Sequence, residues 1–174
     1  PFEEKTLNIL KSELPDNTLS TRKISLFTMV ATKDQSRLVQ VTGIEQDYPF
    51  YGKMILKNVG SVDPAKLKQS LDLSGEAWVY PELLYMLELN AGEYIKIGEQ
   101  SFRIADSVIV DPSSSFSSFG LAPRIYLGYS HMEETALLTK KSRVSHQRLY
   151  RVPEGTDLSG LVDKLQKQIN KLDA

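Results

Sequence analysis

The fold class is decided by residues Gly75–Tyr126, which read GEAWVYPELLYMLELNAGEYIKIGEQSFRIADSVIVDPSSSFSSFGLAPRIY. A short β-prone run, Ala77–Tyr80, is followed at once by Pro81, a residue that favours the first position of a helix. Beyond this helix, Tyr94–Ile97 and Phe102–Val110 flank a polar turn that contains glycine and predict a β-hairpin. The mixture of hairpins and helices indicates an α+β fold, because a doubly wound parallel sheet connects its strands through helices.

The sequence on both sides extends this mixture. Leucines at helical spacing predict a helix over Thr6–Leu14, and Pro15 ends it. Two β-prone runs, Ile24–Val30 and Leu38–Ile44, enclose a polar turn and predict another hairpin. Ser142–Arg151 reads as a long polar strand. The last helix carries one apolar stripe from Leu158 to Leu172, which predicts a firmly docked helix.

Capping residues predict where three of the helices begin. Asp63 precedes Pro64, the first position of a short helix. Ser130, with Glu133 three residues later, matches a capping box. Thr156 or Asp157 is expected to cap the last helix.

Composition excludes several function classes. The chain has 174 residues, 41% of them hydrophobic, which is enough for one domain or two small lobes. Its net charge of −1 argues against a general nucleic-acid binder, so no nucleic-acid partner is expected. With no cysteine, it has no disulfide, no thiolate metal site and no cysteine nucleophile.

Catalytic and cofactor motifs are absent, and we predict no catalytic, cofactor-binding or metal-binding residue. The sequence lacks both the phosphate-loop and the dinucleotide glycine patterns. His131 and His146 lie in different elements and are read as structural or surface residues, since a zinc site needs more ligands. A Ser-His-Asp triad could draw on Ser113–Ser118 and Asp111, but no nucleophile-elbow motif supports it.

Four residues are candidate partner or substrate contacts. Phe116 and Phe119 lie in the serine-rich segment 111–120, where they either anchor the loop or project as an apolar contact. Arg143 and Arg151 belong to a basic cluster and are expected on one face of the polar strand, with Arg148 on the other. Such a cluster is either a solvated surface or a docking surface for an acidic partner.

Several segments, in order and spacing, resemble the periplasmic domain of MacB/FtsX-like ABC-transporter permeases, most closely the YbbP type. The similar passages run from about Val39 to Val152 and share short aromatic, glycine and Pro-Arg patterns. They are Val39–Gly52, Gly75–Leu84, Leu87–Gly98, Phe102–Ala105, Phe119–Tyr126 and Ser142–Ser145. The departures are Glu93, where aspartate is usual, and Lys141, in place of a glycine.

The resemblance implies an extracytoplasmic domain between two membrane helices of a permease, with two lobes. One lobe, of mixed strands and helices, would comprise residues 1–45 and 121–174 next to the membrane. The other, a β-rich insertion, would comprise residues 46–120. The resemblance further implies a bacterial inner-membrane protein with this domain on the periplasmic side.

The function that the resemblance implies is mechanical and non-catalytic. Movement driven by a separate ABC ATPase subunit would pass from the membrane helices to a periplasmic protein or a lipid-like substrate. The full-length permease is expected to be a homodimer. By the same resemblance, the cargo would be a lipid, lipoprotein, peptide or other hydrophobic molecule. The alternatives are a free-standing small periplasmic hydrolase and a β-rich protein-interaction module.

Overall fold

A computed structural model describes residues 2–114 and 122–172 of the chain. Its helices and strands alternate irregularly along the sequence. In chain order they are α1 (Glu4–Glu13), β1 (Leu19–Ala31), β2 (Ser36–Ile44), β3 (Ile55–Leu56), β4 (Gly60–Ser61), α2 (Pro64–Leu67), a π-helical turn (Lys68–Leu73), β5 (Ala77–Val79), α3 (Pro81–Leu87), β6 (Tyr94–Ile97), β7 (Gln100–Val110), β8 (Arg124–Gly128), two 3₁₀ turns (Tyr129–His131 and Glu133–Thr135), β9 (Val144–Arg151) and α4 (Leu158–Leu172).

Both predicted hairpins are present. β1 and β2 pair antiparallel from Lys23 opposite Ile44 to Ala31 opposite Ser36. β6 and β7 also pair antiparallel, around the Gly98 turn. These connections, together with interspersed helices, confirm the predicted α+β class.

The strands of the described residues form one mixed sheet. Its order is β4-β3-β7-β5-β8-β2-β1-β9, and β6 pairs with β7 beside this path. Two of the pairings, β2 with β8 and β5 with β7, are parallel. They join strands that are distant in sequence, which local patterns cannot predict.

The sheet separates two apolar cores. Side chains alternate between the faces of a strand, and in β8 Ile125 and Leu127 belong to one buried cluster while Tyr126 belongs to the other. In β5, Trp78 faces the same cluster as Tyr126. The first core is covered by α3 and β6, and the second by residues 48–71.

The chain divides into two compact units, one formed by residues 1–20 and 148–174 and the other by residues 21–147. Both boundaries fall inside strands, β1 and β9. The larger unit contains both apolar cores. The lobes predicted from the sequence, 1–45 with 121–174 and 46–120, stay a prediction.

In the smaller unit, α1 and α4 contact each other, and Leu161, Leu165 and Ile169 of α4 are half-buried. Glu13 accepts hydrogen bonds from Lys164 Nζ and Gln168 Nε2, each at 2.5 Å. Neither helix contains a buried residue. Leu158 and Val162 are 58% and 57% exposed. The apolar stripe of α4 is therefore covered only in part, and the firm docking predicted for it stays a prediction, because periodicity identifies an amphipathic helix but not what covers it.

Two of the predicted helix starts are confirmed and one is wrong. The carboxylate of Asp63 accepts from Lys66 N, and that of Asp157 accepts from Gly160 N. Ser130 caps no helix: it lies inside the first 3₁₀ turn, its hydroxyl donates to Asp72 Oδ1, and only one more 3₁₀ turn follows. The capped helix predicted from the local pattern does not form, because Ser130 and its neighbour His131 both make hydrogen bonds to Asp72.

Candidate functional site

The structure places two of the four predicted contact residues on the surface. Arg143 directly precedes β9 and Arg151 ends it, and both side chains are exposed. Exposed and half-buried residues alternate along the strand, and Arg148 falls among the half-buried ones, so it lies on the face opposite Arg143 and Arg151. Phe116 and Phe119 lie outside the described residues.

The turn before β9, residues 139–143, is held by the side chain of Ser142. Its hydroxyl donates to Leu137 O at 2.6 Å and accepts from Thr139 N at 3.3 Å. Ser142 N also donates to Thr139 O at 3.1 Å. We call this segment, with its exposed Lys140, Lys141 and Arg143, the basic turn. Its backbone conformation is set by its own hydrogen bonds.

The chain just before the basic turn is anchored to the first core. Thr135 Oγ1 donates to Met132 O and accepts from Leu137 N, while Thr135 O accepts from Glu99 N at 3.0 Å. Gly98 makes this approach feasible, because a Cβ there would collide with the carbonyl oxygen of Thr135. The basic turn is therefore attached to a well-packed part of the larger unit.

No ion pair of the described residues involves the three cations of the basic turn. The ion pairs of the larger unit lie elsewhere, such as Arg22 with Glu45 and Arg103 with Glu76. The side chains of Lys140, Lys141 and Arg143 are directed to solvent, and their charges are available to another molecule.

A second polar cluster is buried at the base of the serine-rich segment. Arg124 Nη1 lies 2.7 Å from Asp111 Oδ2, and the two side chains are 8% and 3% exposed. Tyr80 and Tyr126 donate to the same carboxylate at 2.6 and 2.5 Å. Ser113 donates to its other oxygen through both backbone N–H and hydroxyl. We call these five residues the buried network.

Hydrogen bonding decides the charge state of the buried network. Burial alone would raise the pKa of Asp111, but the hydrogen bonds from Tyr126, Tyr80 and Ser113 outweigh it and hold that pKa below its ordinary value. Burial raises the pKa of Tyr126, and the adjacent carboxylate raises it further. Asp111 is thus an anion and Tyr126 a neutral donor at neutral pH, so the network is a satisfied ion pair rather than an acid–base pair.

The buried network does not contain a catalytic triad. Ser113 bonds to Asp111 and lies near Tyr126 and Arg124, and Ser114 bonds to the backbone of Asp111. Neither histidine is among these partners. Within the described residues, the predicted alternative of a serine nucleophile paired with histidine is not assembled.

His131 joins two segments of the larger unit. Its Nε2 lies 2.8 Å from Asp72 O and its Nδ1 lies 3.1 Å from Glu134 Oε1. Burial alone would lower the pKa of His131, but these two acceptors outweigh it and raise the pKa. Because both partners only accept hydrogen bonds, the protonated ring satisfies both at once.

A groove of about 750 Å³ lies between α3 and the β1–β2 turn. Leu84 and the 87% exposed Tyr85 supply apolar surface, and Arg37, Lys57 and Glu88 supply charges of both signs. The lining contains no cysteine, histidine or aspartate. Nothing in this lining points to a particular ligand.

Metal-ligating side chains do not converge in residues 2–114 and 122–172: no three or more carboxylates and histidines there could hold a metal ion together. Across the same residues, no helix is both long enough and apolar enough to cross a bilayer.

Comparison with known proteins finds similarity to ABC-transporter permeases and their extracytoplasmic domains. No protein-family model matches the chain. Over 124 residues, 71% of the chain, it is 29% identical to the uncharacterized ABC transporter permease YbbP of Escherichia coli K12. The periplasmic region of MacB from Actinobacillus actinomycetemcomitans matches 98% of the chain and 75% of its own length, with a TM-score of 0.60 and 15% identity. The chain has the MacB periplasmic fold.

A second solved structure has the same fold. The extracellular domain of the noncanonic ABC-type transporter YknZ from Gram-positive bacteria matches 99% of the chain and 84% of its own length, with a TM-score of 0.62 and 12% identity. The resemblance to MacB-like permease domains is therefore confirmed. The match to YbbP spans 14% of that permease.

Sequence reasoning missed the buried network of this MacB-like domain. Asp111 and Arg124 carry opposite charges; Asp111 begins the serine-rich segment 111–120, and Arg124 lies four residues after it. Arg124 also begins an otherwise apolar run, Ile125–Leu127. An arginine at the start of an apolar strand was the signal that could have revealed it, since a charge buried beside such a strand needs a partner.

Proposed function

We propose that the chain is a non-catalytic extracytoplasmic domain of an ABC-transporter permease. It transmits ATP-driven movement of the membrane helices to a periplasmic partner or substrate. The observation that carries this proposal is the similarity to YbbP over 71% of the chain, joined to a fold found in the periplasmic region of MacB. The ATPase is a separate cytoplasmic subunit, and the full-length permease is a homodimer in the bacterial inner membrane.

The packing of the larger unit suits such a mechanical task. A domain that passes on movement must resist deformation, and close-packed interiors are stiff. Cores on both faces of the sheet and a satisfied buried network give this unit the required stiffness. The moved cargo belongs to the lipid, lipoprotein, peptide or hydrophobic-molecule class.

This chain has no cysteine, so a full-length permease in which any cysteine outside the chain is replaced by serine allows a direct test. Spin labels on Tyr51→Cys and Tyr85→Cys would sit at sites that are 74% and 87% exposed, both in the larger unit. In the full-length permease reconstituted with its ATPase, we expect the distance between Tyr85 labels of two copies to change on ATP binding. The distance between the Tyr51 and Tyr85 labels within one copy should stay constant.

A control with a hydrolysis-deficient ATPase separates binding from turnover. If ATP leaves the distance between copies unchanged, or changes the distance within one copy as much, transmission by a stiff domain is wrong. Labelling of the chain by a serine-reactive fluorophosphonate would favour the hydrolase alternative instead.

A further inference from the structure

We propose that the basic turn and the first half of β9, Val144–Gln147, bind an extended acidic segment of a partner protein by strand addition. All of these residues belong to the larger unit. The segment would lie alongside β9 as an additional strand, with its carboxylates near Lys140, Lys141 and Arg143. This inference is independent of the proposed transport function.

The first argument is the open edge of the sheet. β9 stands at the end of the strand order and pairs only with β1 among the described strands. Among the described residues, no backbone hydrogen bond from a turn or loop involves Val144–Gln147. An edge strand presents a row of peptide groups that can pair with another chain, and peptide recognition by strand addition uses such edges.

The second argument is charge. From Ala136 to Pro153 the sequence contains five lysine and arginine residues and no aspartate or glutamate, in a chain whose net charge is −1. Positive charges beside an open edge repel a second copy of the same edge and attract an acidic strand. The same residues thus disfavour self-association and select the partner's chemistry.

The third argument is preorganisation. The hydrogen bonds of Ser142 fix the basic turn, and Leu137, Leu138 and Val144 pack against the first core. Binding to a segment that is already ordered costs less conformational entropy than binding to a flexible one. Arg143 also directly precedes the strand, so its backbone has a fixed position relative to the edge.

The test uses the 174-residue chain and a short peptide that alternates glutamate and valine. We expect low-salt binding that weakens with added salt, with amide NMR shifts concentrated at Val144–Gln147. A peptide alternating lysine and valine should not bind. Methylation of every second backbone nitrogen of the acidic peptide should abolish binding, because it removes the donors of one strand edge.

Matched charge variants complete the test. Lys140→Glu with Lys141→Glu should weaken binding about tenfold or more at low salt. Lys66→Glu with Lys68→Glu makes the same charge change at two other exposed positions and should leave the affinity within about twofold. Circular dichroism establishes that each variant is folded.

The proposal is overturned if the acidic peptide fails to bind, or if the two charge variants weaken binding equally. It is also overturned if methylation has no effect, since charge alone would then explain the binding. Binding to phosphatidylglycerol vesicles without binding to the peptide would assign the basic turn to a membrane surface and likewise refute strand addition.

Discussion

Asp111→Asn should destabilise the larger unit strongly. Asparagine keeps the shape of the side chain but leaves the guanidinium of Arg124, 8% exposed, without its counter-charge. Breaking one side of a buried ion pair costs about 3–5 kcal/mol. The substitution also places an amide where Tyr80, Tyr126 and Ser113 donate to a carboxylate. We expect a loss of about 3 kcal/mol, or about 6–12 °C in Tm for a chain of this size.

The assay is urea unfolding followed by fluorescence. Trp78 is the only tryptophan and is 1% exposed in the second core, so its emission reports on the larger unit. Glu45→Gln is the matched control, because Glu45 pairs with Arg22 near the surface, with side chains 30% and 45% exposed, where an ion pair contributes about 1 kcal/mol or less. If Asp111→Asn costs no more than Glu45→Gln, the argument from burial is wrong.

A double variant isolates the interaction between the two charges. Asp111→Asn combined with Arg124→Met leaves no uncompensated charge, so it should cost less than the sum of the two single changes. Additive costs would mean that the two residues stabilise the protein independently of each other.

Three further perturbations test other parts of the structure. His131→Gln should lower the free energy of unfolding more near pH 5 than near pH 8. The pKa of His131 is raised in the folded protein, so the protonated ring stabilises the fold below the unfolded pKa of about 6.5, and this contribution is lost as pH rises through the folded pKa. Equal losses in urea titrations at both pH values would contradict this prediction. Gly60 lies at φ +81° with open space around it, so Gly60→Ala should lower the free energy of unfolding by about 1 kcal/mol. Gly98→Ala adds a collision with the backbone and should lower it by about 2 kcal/mol more in the same Trp fluorescence assay. Similar losses for the two variants would argue against the collision. Asp157→Ala should remove the N-cap of α4 and about 1 kcal/mol of helix stability, seen as faster amide exchange in the first turn of that helix; unchanged exchange would mean that the cap contributes nothing.

Local patterns predicted much of the fold. The β1–β2 hairpin, the start of α3 at Pro81 and the cap at Asp63 depend on residues close together in sequence, and all three are present. The predicted helix after Ser130 failed because partners distant in sequence, at Asp72, bind Ser130 and His131. Sequence patterns of capping carry no information about such partners.

The candidate sites were predicted to different degrees. Alternation along the polar strand predicted that Arg143 and Arg151 share one face, since a strand has a period of two, but only the structure shows that this face is the exposed one. The buried network was missed because its members come from three parts of the chain, and only the sheet brings Tyr80, Asp111 and Arg124 together. The open edge of β9 could not be predicted, because strand order depends on the whole topology.

The parallel pairing of β2 with β8 also governs how the domain reaches its native state. Gln40 and Arg124 are paired in register and joined by a side-chain hydrogen bond, although they are 84 positions apart. Contacts this distant form slowly, because the chain must first close a long loop. During synthesis from the N-terminus, the β1–β2 hairpin can form early, but the edge of β2 that receives β8 stays unpaired until Arg124–Gly128 has emerged. A newly made chain therefore passes through a period in which the centre of its future sheet is an exposed edge, prone to pairing with other chains.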